Sequence, residues 1–376
     1  MLDSVARMAE STPPAAGSAE PDLVGAPPTS RLRTAVRIGI RIVIIGIVLI
    51  VAGFVLAGIF DDLDPAQIRD AFNSLSDAEM ISLFMGWLIW IGAQGLQTAS
   101  LVDGLPARRG VLAYVGPSAV SSVVPGPSDL PVRYAMYQSW GTSPDEAGTA
   151  VAASGVFSVG SQLVLPAFAG VAIALSGIQV DGFFTVIVAT TVLLAVVIGL
   201  AALVLGSEDR TRWAGSKLDP VIRGVFRLLR KTPPERDLGT IAVEQRKASF
   251  DHLRGKWLPT TGATVLTIAA KCSLLVMALR FVGIPEDALG WSAIFAVFAL
   301  VAGLTIIPIT PGSAGVSEIA LVGMLAPIAG DAYVNQVAAG VLIYRLLTWI
   351  LLIPVGLVAL GGWRLQQRRK ETDAIT

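Results

Sequence analysis

Charged side chains within otherwise apolar stretches are the residues of this sequence that could do chemistry. If those stretches cross a membrane, each charge near the bilayer centre costs about 2.5–3.5 kcal/mol on insertion scales, so such residues usually serve a function. The bases outnumber the acids, which indicates a slightly cationic interior suited to an anionic ligand such as a phosphate-bearing group. These charged residues are Asp129, Arg133, Lys271, Glu318 and Arg345.

The same charges could instead pair with one another for purely structural reasons. Arg133 follows Asp129 by one helical turn and could simply hold that turn together. Glu318 could form a bridge to Arg345 or to Lys271. The sequence leaves ligand binding and structural pairing open for each of these residues.

Two proline- and glycine-rich breaks interrupt the apolar runs. The first is VVPGPSDLPVR at 123–133, and the second is LTIIPITPGSAGVSEIALVGML at 304–325. Proline removes a backbone donor and glycine relaxes the helix, so each run should break there. Each resuming helix would turn its free N–H groups toward the membrane midplane, which suits an anion. Paired breaks in two halves of a chain indicate a transport site between repeats.

The composition is typical of a helical membrane protein. The chain has 376 residues, of which 53% are hydrophobic and 15% charged. A single cysteine, Cys272, excludes a disulfide framework, and a single histidine, His252, excludes a two-histidine metal site and favours no cofactor. The sequence has no phosphate-loop motif and no catalytic motif, so we expect neither an ATPase nor an enzyme. Glutamines in the apolar runs favour hydrogen bonds across helices over ligand contact; they are Gln94, Gln97 and Gln162.

Basic and acidic clusters predict the topology, because basic loops stay in the cytoplasm. We expect both termini and 207–256 inside, and 61–79, 283–289 and Asp331 outside. This distribution requires both broken units to be re-entrant hairpins. The predicted segments are a disordered tail at 1–30, an N-terminal membrane half at 31–206 with a hairpin at 111–140, a cytoplasmic linker at 207–256, a C-terminal membrane half at 257–362 with a hairpin at 291–326, and a cytoplasmic tail at 363–376.

The predicted fold is an all-α polytopic membrane protein with two inverted-topology repeats, each containing a re-entrant broken-helix hairpin. Pro125-Gly126 corresponds to Pro311-Gly312 in this alignment of the halves. Pro166 in the span after the first hairpin corresponds to Pro354 in the last span. Inverted repeats of this kind are a common plan of membrane transporters.

The linker contains apolar and basic residues at helical spacing between 217 and 231. Such a basic amphipathic helix could lie on an anionic inner leaflet. It could equally be a helical linker that docks on its own membrane domain.

The second break resembles the Pro-Gly-Gly-x-Gly-x-x-Glu … Arg signature of the lysylphosphatidylglycerol synthase transmembrane family, which includes YbhN-like proteins and the flippase domain of the MprF proteins. The matching segment is Pro311–Glu318, followed by Arg345, and Pro125–Arg133 is similar to the first-half signature. Ser313 stands where glycine is usual, and 151–162 lacks the charged residue expected in that span. The chain ends at Thr376, so we expect no aminoacyl-transferase domain, and the resemblance implies lipid translocation.

The leading hypothesis is therefore a lipid translocase of the cytoplasmic membrane, whose partners are phospholipids or polyprenyl-phosphate-linked glycolipids and not nucleic acid. The alternatives are a transporter of a small soluble anion, a membrane enzyme acting on a lipid-linked substrate, and a non-catalytic partner subunit. An enclosed pocket without a lateral opening would favour the soluble-anion transporter. The predicted substrate-binding residues are Pro125, Gly126, Ser128, Asp129, Arg133, Lys271, Pro311, Gly312, Ser313, Gly315, Glu318 and Arg345.

Overall fold

The computed structural model describes residues 73–124, 128–176, 207–213, 255–306 and 310–373, with single residues at 66–70, 192 and 216–243. Within these ranges the chain is helical and contains no strand. The predicted tail at 1–30, the apolar runs at 42–60 and 193–205 and most of the predicted 217–231 helix lie outside the described residues. So do Pro125 and Gly126.

The described helices all belong to one compact unit. Short 3₁₀ turns at Pro311–Ser313 and Asp331–Tyr333 precede α7 and α8, and a π-helical turn at Leu346–Ile350 separates α8 from α9. The helices are α1 Asp77–Ser100, α2 Ala107–Ser121, α3 Leu130–Ser139, α4 Pro144–Ser176, α5 Trp257–Phe281, α6 Trp291–Leu304, α7 Val316–Ala329, α8 Val334–Arg345 and α9 Leu352–Asp373.

Five segments are long and apolar enough to cross a membrane, namely Asp77–Ser100, Pro144–Gly170, Trp257–Phe281, Pro311–Ala329 and Asp331–Arg369. The fourth reaches this length only when the 3₁₀ turn is counted together with α7. The continuous helix α7 has 14 residues, or about 21 Å, which is short of the ~30 Å hydrocarbon core. The described helices confirm an all-α fold with several candidate spans. The inverted repeat and the re-entrant path stay predictions.

Local sequence explains where the long helices begin. At the start of α1, Ser76 and Glu79 form a reciprocal capping box that satisfies free backbone donors. α4 begins at Pro144 with two acids in its first turn, and both features favour a helix N-terminus. The last helix continues to Asp373, so the described part of the predicted tail at 363–376 is helical.

The loop between α5 and α6 is held by an ion pair. Arg280 pairs with Glu286 and also donates to the carbonyls of Ile284 and Leu289. A hydrogen bond from the Trp291 backbone N–H, with the nearby Arg280 charge, holds the pKa of Glu286 below its ordinary value. Glu286 is exposed and Arg280 is partly buried, and the pair serves to close the loop.

The helices of each predicted half make equivalent contacts with helices of the other half. Helices α1 and α5 are antiparallel neighbours, α2 packs against α9, and α6 packs against α4. Glycines permit the last two contacts: a Cβ at Gly356 would lie 2.5 Å from the Ala119 Cβ, and one at Gly303 would lie 2.6 Å from the Pro166 Cγ. In both cases the first arm of one hairpin lies against the long helix of the other half.

The second break has a backbone that only a few residue types tolerate. Gly312 has φ +56°, Ser313 has φ +56° and Gly315 has φ +80°. A Cβ at Gly312 would also lie 2.1 Å from the Nε1 of Trp349, so this glycine is required twice over. Ser313 adopts the left-handed conformation that glycine takes readily, at the position where the family signature has glycine.

The effect of a substitution at Ser313 on stability should therefore depend on how well the new residue tolerates a positive φ. A left-handed conformation costs an L-residue about 1–2 kcal/mol, and β-branched residues suffer most. We expect Ser313→Gly to retain or raise the thermal unfolding midpoint in detergent, and Ser313→Val to lower it. Equal midpoints for the two variants would contradict the positive φ at this position.

Candidate functional site

A cavity of about 340 Å³ lies among helices from both predicted halves. Its wall is rich in hydroxyl, amide and charged groups, which is unusual for the interior of an apolar protein. Charged residues on the wall are Asp129, Arg133, Lys271 and Arg345, and its hydroxyl and amide residues include Gln94, Gln97, Tyr114, Ser118, Ser158, Ser161, Gln162, Thr264, Thr267, Thr305, Ser317 and Tyr344.

The Arg133 guanidinium is held on two sides. Its Nη2 lies 3.1 Å from the Oδ2 of Asp129 one turn earlier, and its Nη1 donates to the Ser154 hydroxyl on α4 at 2.9 Å. Arg133 is buried, with 8% of its surface exposed. The side chain therefore joins the second arm of the first hairpin to α4 while it lines the cavity.

Glu318 and Arg345 form a buried ion pair. Arg345 Nε donates to Glu318 Oε1 at 2.6 Å, and Arg345 Nη2 donates to the Gly312 carbonyl at 2.8 Å. The exposed fractions are 4% for Glu318 and 8% for Arg345. Glu318 lies in the first turn of α7, where the helix dipole favours an acid. Arg345 thus ties the start of α7 and the broken backbone to the end of α8.

Lys271 differs from the other charged residues of the wall. It is partly buried, and its Nζ lies 5.8 Å from the ring centre of Trp90, a cation–π contact. Among the described residues no carboxylate or hydrogen-bond acceptor pairs with it. Because the two arginines already have carboxylate partners, Lys271 accounts for the surplus positive charge that the sequence predicts.

Most of the predicted substrate-binding proline, glycine and serine residues at the two breaks support the cavity and do not line it. Pro311, Gly312, Ser313 and Gly315 are absent from its wall as described, although Gly312 binds Arg345 through its carbonyl. Ser128 donates its hydroxyl to the Val124 carbonyl, which closes the end of the first hairpin. A role of these residues in binding substrate stays a prediction.

The hydroxyl groups of the wall are the residues that sequence reasoning missed. Thr260, Thr264, Thr267 and Lys271 recur every three or four residues along α5, which places them on one face of the helix. This spacing could have been found in the sequence. Gln97 donates across helices to the Thr264 hydroxyl at 2.7 Å, as predicted for the glutamines, whereas Gln162 donates to the Ser158 carbonyl of its own helix.

An apolar groove of about 350 Å³ between α4 and α5 adjoins the cavity. Both share Ser161, Leu165, Thr264 and Ile268 in their walls. Apart from Thr261, the rest of the groove is apolar, and it includes side chains that are more than half exposed. These are Val156, Phe168, Trp257 and Val265, at 61%, 56%, 58% and 60%. A polar cavity and an apolar groove therefore lie side by side, with four wall residues in common.

A comparison with protein families matches residues 43–356 to the lysylphosphatidylglycerol synthase TM region. The chain belongs to this family. Together with its apolar helices, membership makes this a multi-pass membrane protein with a function related to membrane lipids. No curated protein matches the chain closely enough to count as a relative.

Removing one partner of the Glu318–Arg345 pair should destabilise the protein strongly, because it leaves a buried charge without compensation. Such a loss typically costs about 3–5 kcal/mol. We expect Glu318→Gln to lower the thermal unfolding midpoint by many degrees. The control is Glu286→Gln, the exposed partner of Arg280, where the loss should stay within about 1 kcal/mol. A Glu318→Gln variant no less stable than the control would contradict the structural importance of the buried pair.

Proposed function

We propose that this protein is a lipid translocase that moves a lipid with an anionic, phosphate-bearing head group across the cytoplasmic membrane. The observation that carries the proposal is that a polar cavity containing the unpaired Lys271 adjoins an apolar groove with which it shares four wall residues. A ligand that fills both must have a charged end and a hydrocarbon end. Membrane lipids have this chemistry, and a small soluble anion does not.

In this proposal the phosphate lies beside Lys271, since that cation needs a counter-charge. The buried guanidinium groups of Arg133 and Arg345 keep their carboxylate partners and add hydrogen-bond donors at the wall. The acyl chain occupies the groove between α4 and α5, so the hydrocarbon need not leave an apolar environment. The head group alone crosses the polar interior.

The energy source follows from what the sequence encodes. No phosphate-loop motif is present, so transport would be passive or coupled to a proton or voltage gradient. One charge crossing 100 mV changes the free energy by about 2.3 kcal/mol. An anionic head group is therefore sensitive to membrane potential.

Neutralising the unpaired cation should abolish transport without removing an internal ion pair. We expect Lys271→Gln to reduce translocation of fluorescently labelled phosphatidylglycerol at least tenfold in liposomes, with and without a gradient. The matched control is Arg364→Gln on the exposed part of α9, outside the cavity. Uptake of a soluble anion, with no lipid movement under either condition, would favour the soluble-anion transporter instead.

The orientation in this proposal places both termini in the cytoplasm. In a Cys272→Ser background, Asp145→Cys at the start of α4 should react with a membrane-impermeant thiol reagent only from the cytoplasmic side. Asp287→Cys, in the loop between α5 and α6, should react only from outside. Both positions are exposed. If Asp145→Cys is labelled from outside, the first hairpin crosses the membrane and the re-entrant prediction is wrong.

A further inference from the structure

We propose that the cavity selects a head group that carries net negative charge together with neutral hydroxyl groups, and that it discriminates against head groups containing an amine. This inference rests on the proposed function, because it names the class of lipid that the same cavity would take. It follows from which charges on the wall are already paired and from where the unpaired hydroxyl groups lie.

The first step concerns charge. Asp129 lies within one turn of Arg133 and 3.1 Å from its guanidinium. Glu318 binds Arg345 and is not part of the cavity wall as described. Asp129, the carboxylate among the described wall residues, is thus already paired through one oxygen, whereas Lys271 has no carboxylate partner among them. In a low-dielectric interior, a second ammonium near Lys271 would be repelled strongly.

The second step concerns hydroxyl groups. A threonine in a helix commonly donates to the carbonyl four residues earlier, and Thr264 does so with Thr260 at 2.7 Å. Thr267 is only 8% exposed and lines the cavity, yet its hydroxyl has no partner in the described part of the chain. A buried hydroxyl without a partner is unfavourable. A hydroxyl on the ligand would satisfy it.

The third step is the spacing between these groups. Thr267 precedes Lys271 by four residues on α5, a rise of about 6 Å along the helix. Across the cavity, α4 contributes Ser158, Ser161 and Gln162 to the wall. A head group whose phosphate meets Lys271 can therefore place its hydroxyls about one helical turn away, toward Thr267 and α4. Glycerol and sugar phosphates have hydroxyls at such distances from the phosphate.

Lipid competition tests the inference without requiring transport. Full-length protein would be exposed to an equimolar mixture of phosphatidylglycerol, phosphatidic acid, phosphatidylethanolamine and lysylphosphatidylglycerol with identical acyl chains, and bound lipid would be quantified by native mass spectrometry. We expect phosphatidylglycerol to be retained about tenfold over the two amine-containing lipids and severalfold over phosphatidic acid. A polyprenyl-phosphate glycolipid would be added as a separate competitor. It tests whether the preferred anionic, hydroxyl-bearing head group belongs to a phospholipid or to a glycolipid of this kind.

Two variants separate charge from hydroxyl recognition. Lys271→Gln should remove the preference for phosphatidylglycerol over phosphatidylethanolamine. Thr267→Val should remove the preference for phosphatidylglycerol over phosphatidic acid while leaving phosphatidic acid binding unchanged. The matched control is Thr261→Val on the same helix: its hydroxyl also lacks a partner among the described residues, but it lines the apolar groove and not the polar cavity. Thermal unfolding midpoints would verify that each variant is folded.

Equal retention of phosphatidylglycerol and lysylphosphatidylglycerol by the unmodified protein would overturn the charge argument. Equal retention of phosphatidylglycerol and phosphatidic acid would overturn the hydroxyl argument. Selective binding without any lipid movement in liposomes would contradict the translocase and leave this inference intact. Lipid movement without selective binding would support the translocase and overturn this inference.

Discussion

The ion pair between Glu318 and Arg345 is the interaction on which the rest of the described structure depends. Both groups are buried, and each charge alone would be costly in an apolar interior. Their pairing lets α7 begin beside α8 even though the preceding backbone is broken. Arg345 also donates a hydrogen bond to the carbonyl oxygen of Gly312 in the break. The break, the start of α7 and the wall of the cavity are therefore fixed by the same guanidinium.

The two internal ion pairs also decide what the cavity can bind. An interior with several unpaired charges would bind ions of either sign or fill with water. Here Asp129 and Glu318 already have arginine partners, so the remaining electrostatic demand is that of Lys271. The hydroxyl-rich wall provides directional hydrogen bonds, and the adjoining groove provides an apolar surface. Charge, hydrogen-bonding groups and an apolar surface thus lie next to one another.

Much of this arrangement could be predicted from the sequence, and the remainder has a physical explanation. The positions of the helices could be predicted from the long apolar runs and the helix-breaking residues, because proline and glycine act locally on the backbone. The Arg133–Asp129 pair follows from spacing within one helix. The choice of Arg345 over Lys271 as the partner of Glu318 depends on how α5, α7 and α8 pack, which spacing along the chain does not determine. The apolar groove could not be predicted from the sequence, because its residues have the same composition as any lipid-facing helix surface.

Trp349 shows how closely the two hairpins are coupled. It lies in the π-helical turn after Arg345, where its indole N–H donates to the Ser122 carbonyl at the end of α2 at 3.3 Å. The same ring lies 5.2 Å from the Arg345 guanidinium and directly against Gly312. One side chain therefore contacts the ends of both hairpins, next to the ion pair. Because Gly312 leaves no room for a Cβ, a shift of the second break must displace this ring, and with it the contact to the first hairpin. π-Helical turns often occur at functional sites, and here the turn carries the residue that contacts the ends of both hairpins.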